Sequence, residues 1–313
     1  MMNKKVMAIV LAIIVVLGAG AGVYYFMQGN NTQAAGDTEI THELGTVSVT
    51  ANPQKVVVFD YGVLDSLNTL GVEVSGVVKQ SLPTYLNKYA DASYTDIGTL
   101  FEPNFEVLHD LKPDVIFISG RQKDLYKQLT EIAPTVYLTL DNSDYLGSFK
   151  TNMETIGKIF NKTNEVSIEL AAIDGAITDL KQLTSASNKN ALIVMANDGE
   201  LSAYGESSRF GVIHNTFGVT PVDTNIETST HGQSVGFEYV VEKNPDVIFV
   251  VDRNAVTTGE SKAAALFDND LMAATKAVKN NAIINLDAHT WYVASGGLQS
   301  TKTMIAEVRS AFE

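Results

Sequence analysis

The 313-residue chain contains no cysteine. That one absence removes disulfides, thiolate metal sites and cysteine nucleophiles, together with any lipidated N-terminal cysteine. Positive charge is scarce too: 22 Lys and Arg stand against 36 Asp and Glu, a formal net charge of -14. Such a field repels phosphate backbones, so nucleic acid is disfavoured as a partner, and an anionic ligand must be held by a local positive pocket. There are only five histidines, scattered and without a His-rich loop. They offer few ligands for a divalent zinc or manganese receptor. An α/β-type hydrolase or other enzyme is an open alternative, but no Gly-x-Ser-x-Gly elbow, His-Glu-x-x-His or Gly-x-Gly-x-x-Gly after the first strand supports it.

What is present points to an ordered globular protein. Hydrophobic residues make up 45% of the chain, and the length suits about two domains with a core each. Val6 to Met27 is almost unbroken apolar and follows Lys4 and Lys5, the layout of a secretory signal or a membrane anchor. The run is long enough to span a bilayer of about 30 Å. Cleavage after Ala21 would leave Val23-Tyr24-Tyr25-Phe26 exposed. Residues 1–27 are therefore read as an uncleaved anchor with the lysines inside, a cleaved secretory peptide being the alternative. Residues 28–44 are polar and aperiodic and read as a flexible tether.

One segment occurs twice. Phe105-Glu106, six residues, Pro113-Asp114-Val115-Ile116-Phe117, three residues and Arg121 match Phe237-Glu238, six residues, Pro245-Asp246-Val247-Ile248-Phe249, three residues and Arg253. In each copy, apolar residues at helical spacing precede Pro-Asp and a buried strand follows. Each arginine thus lies just past the C-terminal end of a strand, where open parallel α/β sheets bind ligands. A duplicated α/β lobe would place two guanidinium groups on facing surfaces.

Around the copies, strand and helix alternate. Gly45 to Val49 reads as an opening strand, Val56 to Asp60 as a buried one, Leu64 to Leu70 as a helix ended by Gly71, Val74 to Val78 as a strand, Gln122 to Ile132 as a helix and Thr135 to Leu140 as a strand. Leu146 to Phe160 and Lys162 to Leu183 read as amphipathic helices, the second with Ile168, Leu170, Ala171, Ile173, Ile177 and Leu180 near helical spacing. The second could be a strut between lobes or a surface helix of the second lobe. Beyond it lie a strand at Ala191 to Met195, a Gly- and Ser-containing turn at Tyr204 to Gly211, a polar loop from Asp223 to Gln233 holding His231, and a last strand at Ala282 to Leu286. The expected organisation is a mainly parallel α/β fold: an N-terminal lobe over 45–160, a connecting helix over 161–185 and a C-terminal lobe over 186–313.

Only four residues are arginine, at 121, 209, 253 and 309. The chain ordinarily uses Lys, so Arg in loops at 121, 209 and 253 suggests a need for the planar multi-donor fork. Three such groups on one cleft would suit a ligand with about three negative charges spread over oxygens.

The order of elements, the long central helix, Glu102 to Glu106, Asp114 to Arg121, Ala203-Tyr204-Gly205 with Ser208-Arg209-Phe210-Gly211, and Trp291-Tyr292 resemble the class III solute-binding proteins of iron–siderophore ABC importers. Within that class the chain is similar to the branch that binds petrobactin and other catecholate siderophores. The resemblance implies two Rossmann-like lobes joined by a long helix and a non-enzymatic, monomeric receptor that hands a ferric siderophore to an ABC permease outside the membrane. It implies ligand-binding roles for Arg121, Arg209 and Arg253, and iron coordination by His231 and Tyr292 when the siderophore supplies only four oxygens. Glu106 and Glu238 would meet permease arginines, with Glu102 a neighbouring candidate. No intrinsic cofactor is implied; ferric iron arrives as the siderophore complex. The same fold also binds haem or vitamin B12, which is the alternative ligand class. Family members from Gram-positive bacteria are typically lipoproteins, and this sequence departs from them in having no cysteine.

Overall fold

The computed structural model describes residues 36–229 and 231–313. The apolar segment expected to act as an anchor lies outside them; among the described residues no helix is long and apolar enough to cross a membrane. Part of the expected tether is ordered: β1 (Asp37–His42) pairs with β2 (Gly45–Thr50) in a two-stranded sheet of its own. His42 lies edge-on to Tyr126 and Tyr137, and one of its ring nitrogens meets the Thr135 carbonyl. Local polarity had concealed a strand whose partner is the opening strand itself.

The first main sheet has β3 (Val56–Val58), β4 (Gly76–Val77), β5 (Thr95–Asp96), β6 (Val115–Ile118) and β7 (Thr135–Tyr137) in the order β5-β4-β3-β6-β7, every pair parallel. The second holds β8 (Asn190–Asn197), β9 (Glu200–Tyr204), β10 (Thr220–Pro221), β11 (Gln233–Val235), β12 (Val247–Asp252) and β13 (Ile283–Leu286), ordered β11-β9-β8-β12-β13 with β10 also on β8. β8, β10, β12 and β13 pair in parallel, whereas β9 runs antiparallel to β8 and to β11. The β8–β9 turn is Asp198-Gly199, both at positive φ, a two-residue hairpin connection. Strands β3, β6 and β12 are buried at every position. Burial on both faces explains their unbroken apolar runs.

Eight helices matter here: α1 (Tyr61–Thr69), α2 (Phe105–Leu111), α3 (Tyr145–Ile159), α4 (Thr163–Ser187), α5 (Phe237–Lys243), α6 (Arg253–Thr257), α7 (Ala288–Tyr292) and α8 (Leu298–Ser310). The two repeat copies fold alike. Helices α2 and α5 have seven residues each and end on left-handed Lys112 and Asn244. The following Asp then ties its strand to the start of the neighbour: Asp114 accepts from the Gln54 and Lys55 amides, Asp246 from the Asn190 amide. The Pro-Asp pair is thus a register clamp as well as a turn.

Helix α4, at 25 residues, is about 37 Å long. Its buried stripe is Val166, Leu170, Ile173, Ile177, Leu180 and Thr184. Ile168, expected in that stripe, is 70% exposed because it sits about 200° round the helix from Val166. The helix packs on α3 and α8, and Thr184 donates to the Phe217 carbonyl. α8, the last helix, returns to the first half and packs on α1. Thr38–Glu313 form one compact unit, with a principal core drawing on both sheets.

Candidate functional site

The C-terminal ends of β6 and β12 deliver the two repeat arginines. After β6 the chain turns into a 3-10 helix (Gly120–Leu125) closed by Gln122, which is fully buried. The Gln122 amide accepts from the Ser119 N–H and donates to the Leu100 carbonyl, so the turn bearing Arg121 is held from inside. After β12, Asp252 caps α6, whose first residue is Arg253. Arg209 comes from the loop after β9. There Ser208 Oγ donates to the Gly205 carbonyl, and a Cβ on Gly211 would stand 1.9 Å from the Glu206 carbonyl oxygen, so only glycine closes the turn.

All three guanidinium groups meet at Tyr292, the last residue of α7. Arg121 Nη2 and Arg209 Nη2 donate to its carbonyl oxygen at 3.2 and 2.8 Å. Arg253 Nε donates to its hydroxyl oxygen at 2.9 Å, and Arg253 Nη1 to Asn197 Oδ1 at 2.7 Å. The Arg209 guanidinium lies 4.6 Å from the Tyr292 ring centre and 5.0 Å from that of Phe210, cation–π distances. Burial, with repulsion from Arg121, draws the Arg209 guanidinium below its ordinary pKa, against the attraction of Tyr292. Burial raises the phenol of the adjacent Tyr204 to about 12.

Among the described residues no carboxylate forms an ion pair with this cluster, whereas the fourth arginine, Arg309, pairs with Glu313 at 2.6 Å. Three like charges held together by neutral oxygens and rings favour an incoming anion, since the repulsion among them is relieved only by opposite charge. Arg121, Arg209 and Tyr292 line a cavity of about 520 Å³ with Asp60, Ser119, Asn142, Asn152, Ser208 and Ser229, while Arg253 braces Tyr292.

Tyr292 is itself fixed from two sides. Asp287 caps α7 through the Thr290 amide, and Glu307 of α8 accepts from Trp291 Nε1 at 2.6 Å and from the Asp287 amide at 2.9 Å. Burial raises the Glu307 carboxyl above its ordinary pKa against those bonds. Buried Asp65 of α1 accepts from the Gln299 and Ser300 amides at 3.1 and 2.7 Å, capping α8 from another element. A Cβ on Gly297 would come 2.1 Å from Asp65 Oδ2, so the close approach requires glycine. Asp60, Asp65, Asn197 and Glu307 were not candidates from sequence; nothing local to Asp65 announces partners at Gln299 and Ser300, nor anything local to Asn197 its bond to Arg253 or to Glu307 its bond to Trp291.

The remaining sequence candidates lie elsewhere. His231 is exposed in a turn closed by the Ser229 hydroxyl on the Gly232 carbonyl; Ser229 lines the cavity, His231 does not. Glu106 and Glu238 are exposed in the first turns of α2 and α5, matching places in the two copies. Among the described residues no group of three or more His, Asp or Glu could hold a metal ion.

Residues 56–290 match the periplasmic binding protein family. Petrobactin-binding protein YclQ of Bacillus subtilis is 46% identical over 99% of both chains; its crystal structure aligns with a TM-score of 0.87, covering 88% of this chain and 99% of that one. Ferric-anguibactin-binding protein FatB of Vibrio anguillarum is 33% identical over 88% of this chain and 87% of its own. The periplasmic catecholate-siderophore binding protein VctP of Vibrio cholerae aligns with a TM-score of 0.83 at 35% identity, over 88% and 99% of the two chains. On this evidence the chain belongs to the periplasmic binding protein family.

Proposed function

We propose that the protein is a non-enzymatic receptor that captures ferric catecholate siderophores, of the petrobactin-like bis-catecholate kind included, outside the membrane and delivers them to an ABC permease. The observation that carries this reading is the meeting of Arg121, Arg209 and Arg253 on Tyr292 beside a cavity, without a counter-ion, in a chain of net charge -14. Forked donors suit catecholate oxygens, and three cations suit a trianion. The relatives named for petrobactin, ferric anguibactin and a catecholate siderophore support the same ligand class. Ferric iron is cargo here, and no resident cofactor takes part.

A tetradentate siderophore leaves two of the six places on Fe(III) open. Tyr292 oxygen, already on the cavity wall, would fill one, and His231, two residues from Ser229, the other. Glu106 and Glu238, presented by equivalent helix starts, would contact permease arginines. Without a cysteine to lipidate, the apolar segment 6–27 would serve as the tether. Titration of the purified protein with a ferric catecholate, the iron-free siderophore and a neutral ferric hydroxamate tests the reading. Saturable, tight binding of the first alone is expected; preference for the hydroxamate would overturn it.

A further inference from the structure

The two halves of the fold also meet away from the cavity, through a residue held against its backbone preference. Ser81 lies in the loop after β4 at φ 58°, the left-handed region in which Cβ crowds the following carbonyl. Among the described residues, the other non-glycine residues there are Asn or Asp, whose short polar side chains tolerate it, and Lys112, which ends α2. Ser81 ends no helix. Its Oγ donates to the Val256 carbonyl of the second half at 3.1 Å. The loop that carries it is braced on both sides. The hydroxyl of buried Tyr61 donates to the Gln80 carbonyl, and buried Pro83 leads into the 3-10 helix Thr84–Ala90.

Val256 is buried in the last turn of α6, where helix carbonyls have no donor inside the helix. Helix α6 is therefore held at both ends: Asp252 takes the Asn254 and Ala255 amides at its start, and Ser81 supplies the Val256 carbonyl at its finish. Arg253 is its first residue, and it packs on α7, whose last residue is Tyr292. Arg121 bridges the halves as well, through the Tyr292 carbonyl, but a guanidinium that turns to an anion gives that bond up. Neither Ser81 nor Val256 lines the cavity, so their bond persists when the cavity fills. Glycine would occupy position 81 without strain, and the retention of a side chain there points to a use for the hydroxyl. We propose that Ser81 is a positioning residue: its bond to Val256 clasps the two halves and sets Arg253 and Tyr292 at the distance from Arg121 that binding requires. The ligand then enters a site already spaced for it. This rests on the catecholate reading for its ligand, whereas the clasp itself is measured without one.

The chain has no cysteine, so Asn87→Cys and Asn280→Cys, at exposed positions, put one spin label on each half. Electron–electron resonance then gives the distance distribution between the labels without ligand, in the otherwise unmodified protein, in Ser81→Gly and in Ser81→Ala. Unlabelled proteins are titrated with a ferric tris-catecholate by tryptophan fluorescence and unfolded in urea. Both variants lose the clasp, but glycine also relieves the strain, which offsets the lost bond. Both are expected to bind about tenfold more weakly, the effect of one lost hydrogen bond on the population of the competent spacing, and to show a broader distance distribution. The urea midpoint is expected to fall for alanine and to stay within about 0.3 M for glycine. Unchanged affinity or an unchanged distribution in Ser81→Gly overturns the proposal. So does weakened binding in Ser81→Ala alone, because affinity would then follow stability and Ser81 would serve only the fold. If the unmodified protein binds no ferric catecholate, the functional reading fails, and the distance distributions still decide whether the clasp exists.

Discussion

Asp65→Ala isolates what holds the binding segment in place. Asp65 is buried, and its two oxygens take the Gln299 and Ser300 amides at the start of α8, with Thr69 Oγ1 at 3.3 Å. Alanine removes a helix cap worth about 1–2 kcal/mol and strands two buried amide donors, each costing about 1–3 kcal/mol when unsatisfied. Since these terms overlap, the net loss should be about 3 kcal/mol. Asp65→Asn should cost about 1 kcal/mol, because it retains the volume and one acceptor. Burial raises the Asp65 carboxyl above its ordinary pKa, its amide partners opposing. The charge therefore weighs against the fold as pH climbs from the unfolded value through the raised one, and Asn removes that burden. With a urea m-value of about 3 kcal/mol/M, the Ala variant's midpoint should fall by about 1 M. Trp291 of α7, buried and bonded to Glu307 of α8, reports the transition. Equal midpoints for the two variants, or a shift below about 0.2 M for alanine, would refute this account of the α1–α8 junction.

Trp291 adjoins Tyr292 and packs edge-on to Phe210, so binding of a coloured ferric catecholate should quench the protein's single tryptophan, and Trp291→Phe should abolish the signal while retaining affinity by calorimetry. Tyr292→Phe and His231→Ala should change the charge-transfer spectrum of a tetradentate ferric complex far more than that of a hexadentate one; equal changes would remove both residues from the coordination sphere. Burial lowers the pKa of His214, whose Nδ1 meets the Val219 carbonyl at 2.8 Å. The unfolded chain therefore takes up that proton first on acidification. The stability due to neutral His214 is complete above about pH 6.5 and is lost as pH falls toward the depressed value. His214→Gln should flatten the decline of the urea midpoint between about pH 6.5 and 5, and an unchanged slope would exclude this assignment.

The fold was legible where period and punctuation agree. The Pro-Asp copies revealed two related halves because Val115–Ile118 and Val247–Asp252 are buried on both faces and so apolar without interruption. The antiparallel β9 was missed although Asp198-Gly199 between two apolar runs is a strong hairpin signal. Ile168 was misplaced because a dense apolar helix offers several plausible stripes, and only the packing of α3 and α8 selects one. Arginine's rarity pointed to Arg121, Arg209 and Arg253, yet no sequence rule indicated that the Tyr292 carbonyl would gather two of them, or that Arg121 and Arg253 would sit at the starts of short helices and not in loops. Asp65 and Glu307 were invisible for the same reason, since each acts on backbone or indole groups brought near by tertiary structure alone.

The central claim concerns charge matching, and one measurement addresses it without altering the protein. A tris-catecholate carries three negative charges around Fe(III) but two around Ti(IV), at nearly the same size and shape. If three uncompensated guanidiniums define the site, the ferric complex should bind about tenfold or more tightly than the titanium complex. Arg209→Gln should narrow that gap. Equal affinities for the two complexes, or tighter binding of the titanium one, would contradict the account.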